Sequence, residues 1–259
     1  MPASVLVTGA NRGIGLGLVK QILKWNDVKH VFACCRTPAA AEDLNTISKA
    51  DERVHVLQMD VTDEDSISNA AGEVSKVVDK EGLNLLVNNA GILESCSQPQ
   101  GAPASFLDAN QEAFQRHFNT NSIAPVVVSK AFLPLLVMAS SNYPDSDVFS
   151  VNRAAIINIS SGAGSIGDNT TGSRTMKNMA YRMSKAALNQ FTKTISHDLK
   201  AKKILVASFC PGWVKTDMGT SAAMLEVSES AGQLCETFLT LDKSQTGAFL
   251  NRFGKVFAY

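Results

Sequence analysis

Residues 4–25 constrain the fold of this chain more than any other stretch. "SVLVTG" (4–9) is apolar and rich in β-branched side chains, the make-up of a strand buried on both faces. A glycine-rich turn follows, and an amphipathic stretch runs from about Gly13 to Trp25. A strand that passes through such a turn directly into a helix is the first half of a strand–helix–strand unit, and the pattern recurs. "HVFACC" (30–35), "RVHVLQMD" (53–60), "LNLLVNNAG" (83–91), "RAAIINISS" (153–161) and "ILVASFCPG" (204–212) read as further strands, with "GAFLN" (247–251) as an edge strand. Residues 61–80 open acidic and close on lysine, the polarity a helix dipole favours. From Leu107 to Ala139 the pattern is mostly helical; Pro125 either separates two helices or sits in a first turn. In 178–200 the residues Ala180, Met183, Ala187, Phe191 and Ile195 form one apolar stripe at helical spacing. A last helix is expected near 228–240, and the Ser/Asn/Asp-rich stretch 140–150 reads as a loop.

Strand and helix in repeated alternation predict an α/β fold: a doubly wound, mostly parallel sheet of about seven strands, with helices on both faces and one domain over 1–259. Ligands in such sheets bind beyond the carboxyl ends of the strands. The polar and glycine-rich segments "TGANRGIG", "CCR", "MDV", "NNAG", "ISSG" and "PGWVKTDM" all fall there.

Composition narrows the partners. At 45% hydrophobic residues the chain can bury a full core, and 24 basic against 24 acidic residues leave no electrostatic footprint for nucleic acid or an anionic membrane. Cys34, Cys35, Cys96, Cys210 and Cys235 form no CxxC spacing and read as reduced thiols of a cytoplasmic protein. No signal peptide, no uninterrupted apolar run of about 18 residues and no metal-ligand spacing among His30, His55, His117 and His197 are found.

The glycine-rich turn is the strongest local signal. Gly9 suits the tight turn, Gly13 and Gly15 allow close approach of backbone to a ligand, and the helix that follows offers free N–H groups to an anion. Tyr181 and Lys185 are four positions apart, hence on one helix face, but this pair alone is a weak signal.

Together, TGxxxGxG at Thr8–Gly15, NNAG at Asn88–Gly91 and YxxxK at Tyr181–Lys185 resemble the short-chain dehydrogenase/reductases in order and position. The likeness spans essentially the whole chain. "NRGIGLGLVK", "RAAIINISS" and "CPGWVKTDMG" are most similar to carbonyl reductases of the sniffer type. The resemblance implies an oxidoreductase acting on a small-molecule carbonyl compound with NADP(H), and a homo-oligomer paired through the helices that carry Asn121 and Tyr181.

It also implies site residues. The catalytic group is Asn121, Ser161, Tyr181 and Lys185, with Asn119 and Ser160 as neighbours that compete for two of these roles. The cofactor set is Gly9, Asn11, Arg12, Gly13, Ile14, Gly15, Arg36, Asp60, Val61, Asn89, Ala90, Gly91, Pro211, Gly212, Val214 and Thr216, together with Tyr181 and Lys185. In this family an acidic residue ending the second strand selects NAD; here Cys35 stands there, followed by Arg36. A guanidinium attracts a 2′-phosphate that a carboxylate would repel, which predicts NADP(H) preference, with Arg12 closing on the same group. Asn88 and Asn89 either bound the cofactor pocket or only form the turn.

A carbonyl that accepts hydride needs a proton donor and a hydrogen-bond donor at its oxygen. Tyr181 is the candidate acid, and Ser161 the residue that holds the oxygen. At about 4 Å and an effective dielectric near 20, an ammonium stabilises a phenolate by about 4 kcal/mol. Lys185 is therefore expected to lower the phenol from about 10 towards roughly 7. The family also has Lys185 bond the nicotinamide ribose and Asn121 hold a water beside it. Trp213, Met218 and Met224 are candidates for an apolar substrate wall. Ser161 and Tyr181 are 20 positions apart, more than the resemblance leads one to expect, so "GSIGDNTTGSRTMKN" (164–178) either shapes the substrate pocket or is a surface insertion. The same residues also serve an alcohol or hydroxysteroid dehydrogenase working as an oxidant, and a dinucleotide-binding regulator without turnover is the reading from another class.

Overall fold

The computed structural model describes residues 1–94, 110–144, 146–172 and 178–259. Its centre is a seven-stranded sheet: β1 (Ser4–Thr8), β2 (His30–Cys35), β3 (Val54–Gln58), β4 (Leu85–Asn88), β5 (Ala155–Ile159), β6 (Leu205–Cys210) and β7 (Phe249–Asn251). The spatial order is β3-β2-β1-β4-β5-β6-β7, and every pairing is parallel, so the sheet is wholly rather than mostly parallel. The order reverses between β1 and β4, which opens a crevice at their carboxyl ends.

Strand alternation divides the core between the two faces. Val5, Val7, Val31, Ala33, Leu85, Val87, Ile157 and Ala207 pack with Leu18 and Ile22 of α1 (Gly13–Ile22), Leu44 of α2 (Glu42–Ala50), and Leu234 and Phe238 of α7 (Val227–Thr240). Leu6, Phe32, Leu86, Ile156 and Val206 face the other way, towards Ile67 and Val74 of α3 (Glu64–Val78) and Val128, Phe132 and Leu136 of α5 (Ala124–Asn142). Helices α4 (Gln111–Phe118) and α6 (Met179–Asp198) complete the set among the described residues.

Several expectations meet their physical limits here. Helix α2 has no counterpart in the sequence reading, because its single buried residue, Leu44, leaves no apolar stripe to detect. The helical region expected from Leu107 begins at Gln111 among the described residues; 107–109 lie outside them, as does Cys96. Pro125 stands at the start of α5, directly after the π-helical turn Asn119–Ile123 that interrupts the regular hydrogen-bond ladder there. The stretch Gln111–Asn142 is long and apolar enough by composition to cross a membrane, although polar residues interrupt it. Half of its apolar window is buried against the protein.

Polar groups at the carboxyl end of the sheet bind its layers together. Asn88, Asn158 and Ser208 lie side by side on β4, β5 and β6. The Asn88 amide donates to Asn158 Oδ1 at 2.8 Å and to Ser129 Oγ of α5 at 3.1 Å, and Asn158 donates to Thr192 Oγ1 of α6 at 2.9 Å. Asn88 is thus a buried strut between sheet and helices, more than a turn former.

Candidate active site

The glycine-rich turn closes on the end of β4. Gly9 has φ +63°, and a Cβ there would meet Ala90 Cα at 3.0 Å. On Gly15 a Cβ would lie 2.2 Å from the Gly9 carbonyl oxygen and 2.6 Å from Asn89 Nδ2, so only glycine fits. Asn89 stitches the two segments. Its side-chain amide donates to the carbonyls of Thr8 (2.9 Å) and Gly9 (3.2 Å), and the N–H groups of Asn89 and Ala90 donate to Thr8 Oγ1 at 3.0 and 2.9 Å. Thr8 was absent from the expected set, although a hydroxyl directly before the turn is its visible mark in the sequence.

Helix α1 then begins with extended Arg12 as its N-cap, no side chain capping it and no acidic residue in the first turn. Its first N–H groups remain free for an anion. Asn11 and Arg12 are exposed, and Ile14 is half-buried. Arg12 is paired with Asp217 at 2.7 Å, a contact that joins the turn to the loop after β6. A Cβ on Gly13 would come within 3.2 Å of Thr216 Cγ2, so the same loop lines the crevice from the far side. Within it Val214 is buried, Pro211 accepts a bond from Ser230 Oγ at 2.8 Å, and Gly212 (φ +87°) avoids a clash with Leu225.

At the ends of β2 and β3 the remaining members of the set are near one another in the sheet. Cys35 is buried, and burial pushes its thiol up. Arg36 is exposed and has no ion pair among the described residues. Asp60 follows β3; its Oδ1 accepts from Thr62 N (2.9 Å) and Thr62 Oγ1 (2.7 Å), while Val61 is buried beside it.

Asn121 and Lys185 meet at Gly91; Tyr181 lies next to Lys185, and Ser161 next to Tyr181. Asn121 lies in a π-helical turn, Asn119–Ile123, between α4 and α5, and is fully buried. Its side chain accepts from Ile92 N (2.8 Å) and donates to Ile92 O (2.9 Å) and to Ser184 Oγ (3.0 Å), which pins the extension of β4 to α6. Asn119 is exposed, so of the two neighbours only Asn121 reaches this point. A Cβ on Gly91 would be 3.1 Å from Asn121 Oδ1 and 3.5 Å from Lys185 Nζ.

Ser161 lies two residues beyond β5 and caps a short 3-10 turn, Gly162–Gly164, accepting from Ala163 N at 3.2 Å. Its hydroxyl is near enough to the Tyr181 phenol to oppose the effect of burial on it. Ser160 points the other way; its Oγ is buried without a partner among the described residues.

The electrostatics differ from the simple expectation. Burial pushes the Tyr181 phenol up to about 12, opposed by the nearby Ser161 hydroxyl. Lys185 is pushed down to about 8 by burial. Its ammonium donates to the Ile159 carbonyl at 2.8 Å and lies 5.7 Å from the centroid of the Tyr181 ring. The lowering of the phenol by Lys185 is therefore not found: desolvation of both groups outweighs their mutual attraction, and the ammonium is held on a backbone carbonyl. Two neighbours were not foreseen. Cys210 Sγ accepts the Gly162 N–H at 3.1 Å, and the buried His117 ring meets Tyr181 edge-on with centroids 6.5 Å apart. Neither residue type nor spacing marks them, since both depend on strands and helices far apart in sequence.

Trp213, Met218 and Met224 all remain exposed on the loop after β6, and Ile166 is exposed on the loop after Ser161. Of the long 164–178 stretch, residues 173–177 lie outside the described residues.

The family model for short chain dehydrogenases matches residues 3–225. The structure is similar to the carbonyl reductase Sniffer of D. melanogaster, with 39% identity, TM-score 0.92 and complete coverage of both chains. It is equally similar to an NADPH-bound carbonyl reductase from chicken fatty liver, at 39% identity and TM-score 0.92 over 100% of this chain and 94% of that one. An uncharacterised oxidoreductase of Schizosaccharomyces pombe is 37% identical over 216 residues, 83% of this chain and 75% of that protein.

Proposed function

Starting from a chain that belongs to the short chain dehydrogenase family, we propose that it is an NADPH-dependent carbonyl reductase acting on an aldehyde, ketone or quinone. One observation carries the reading: the Lys185 ammonium lies beside Gly91 and 5.7 Å from the centroid of the Tyr181 ring, and the Ser161 hydroxyl is near the phenol, where the chain leaves β4 and β5. The crevice next to them suits a dinucleotide, because α1 starts there with no side-chain cap and no acidic residue in its first turn, an arrangement that can take a phosphate on its first N–H groups.

When bound, the reduced nicotinamide supplies the hydride. Tyr181 supplies the proton to the substrate oxygen, and Ser161 donates a hydrogen bond to it as negative charge develops there. A phenol pushed up by burial keeps its proton at neutral pH, as a proton donor must. Lys185, already aimed at the Ile159 carbonyl beside Gly91, is within reach of hydroxyls entering that space. Arg36, exposed after a strand that ends in Cys35 rather than a carboxylate, supports selection of the 2′-phosphate. The exposed Trp213, Met218, Met224 and Ile166 support a bulky apolar substrate. Exposed Ile123, Val126 and Met183, on the segments that carry Asn121 and Tyr181, support pairing of two copies.

The test follows NADPH absorbance with quinones, aldehydes and ketosteroids. Tyr181→Phe should lower kcat by about 10²- to 10⁴-fold while NADPH still binds. Full turnover in that variant, or no NADPH oxidation with any of these substrates in the parent, would refute the reading.

A further inference from the structure

The loop that carries Ser161 runs through Gly162 and Gly164. Its internal bonds are all short-range: Ala163 N–H to Ser161 Oγ at 3.2 Å, Gly164 N–H to the Ser161 carbonyl at 2.8 Å and Ser165 N–H to the Gly162 carbonyl at 3.0 Å. A segment nearly 100 positions later restrains it from outside. Ser165 Oγ donates to the Ala258 carbonyl at 2.7 Å, and Gly167 N–H donates to the Tyr259 carbonyl at 2.7 Å. A Cβ on Gly162 would lie 3.7 Å from the Phe257 ring and 3.7 Å from Cys210 Sγ, which already accepts the Gly162 N–H. The loop is thus held between β6 and residues 257–259.

Those residues are themselves anchored to the edge of the sheet. Phe257 N–H donates to the Phe249 carbonyl at 2.8 Å, and the two rings stack with centroids 5.2 Å apart and planes 23° apart. Val256 bridges Leu250, and the Tyr259 hydroxyl donates to the Gly247 carbonyl. Position at β7 is therefore transmitted through Phe257, Ala258 and Tyr259 to the turn after Ser161.

We propose that residues 256–259 form a strap that positions the Ser161 loop, with Phe257 and Cys210 as positioning residues that fix the Ser161 hydroxyl against the phenol. The proposal rests on the reading of Ser161 as the group that holds the substrate oxygen. Misplacement of such a donor by about 1 Å is enough to lower turnover up to about 100-fold.

Four variants test it: Phe257→Ala, Phe257→Leu, Ser165→Ala and, as a separate arm, Ser161→Ala. Phe257→Ala and Ser165→Ala should lower kcat/KM for the carbonyl substrate by roughly 10- to 100-fold, mostly in kcat, with NADPH affinity unchanged. Phe257→Leu should restore part of the loss. Hydrogen exchange should quicken across 162–168 in Phe257→Ala and stay unchanged across 13–22. A merely structural role would instead lower melting temperature and cofactor affinity together. Parental kcat/KM in both strap variants, or unchanged exchange across 162–168 in Phe257→Ala, overturns the strap. A fully active Ser161→Ala overturns the site reading on which it rests. Should Phe257→Ala fail to fold, Ser165→Ala carries the same comparison alone.

Discussion

Lys185 is a charged group in a place that penalises charge, and that penalty can be measured. Only 4% of the residue is exposed, and burial lowers its pKa from 10.5 to about 8. The unfolded chain returns the ammonium to water and to the ordinary value. Between these values the unfolded state binds more protons than the folded one, so stability rises with pH across that window. Below about pH 8 the penalty is present in full, at about 3 kcal/mol. By pH 9.5 about 2 kcal/mol of it is relieved. Lys185→Met keeps the length of the side chain and removes the titration. Urea unfolding of both proteins, free of cofactor, at pH 7 and pH 9.5 gives the difference. The parent should gain about 2 kcal/mol relative to the variant over that interval. Tyr181, pushed up to about 12 when folded, is present in both proteins and largely cancels. A gap that stays constant, or that moves in favour of the variant, refutes the claim that burial dominates the electrostatics of this site.

Two further outcomes follow from the crevice. Arg36→Ala should weaken NADPH by roughly 10- to 100-fold, the worth of charge-assisted hydrogen bonds to a phosphate, and leave NADH unchanged; equal losses for both cofactors in titrations would contradict the assignment. Gly15→Ala places a Cβ 2.2 Å from the Gly9 carbonyl oxygen, so the turn must shift. It should cost about 1–3 kcal/mol in denaturant unfolding and weaken the cofactor, and parental values for both would show that the turn gives way freely.

Much of the molecule was legible in the sequence because its signals are local. An apolar β-branched run followed by glycine reads as a strand and a turn wherever it occurs, so all seven strands were found, down to the short edge strand Phe249–Asn251. Helix α2 escaped, because a helix that buries only Leu44 leaves no stripe. Among the site residues, Gly9, Gly15, Asn89, Tyr181 and Lys185 were legible from motif and spacing. Ser184, Cys210 and His117 were not, since their roles are hydrogen bonds and ring contacts to distant segments.

The choice between Ser160 and Ser161, and between Asn119 and Asn121, belongs to the same division. Sequence supplied both candidates; in the structure Ser161 caps the turn Gly162–Gly164 while Ser160 is buried, and Asn121 is buried on Ile92 while Asn119 is exposed. "YRMSKAALNQ" by itself determined that a phenol and an ammonium share one helix face. It did not determine how they act on each other. Packing of α6 against β5 and β6 took both groups out of water and gave the ammonium to the Ile159 carbonyl, so the phenol rises where spacing alone implied that it falls. Spacing along a helix is a property of the local chain. The dielectric around it, and the partner that a charge finds there, come only with the tertiary fold.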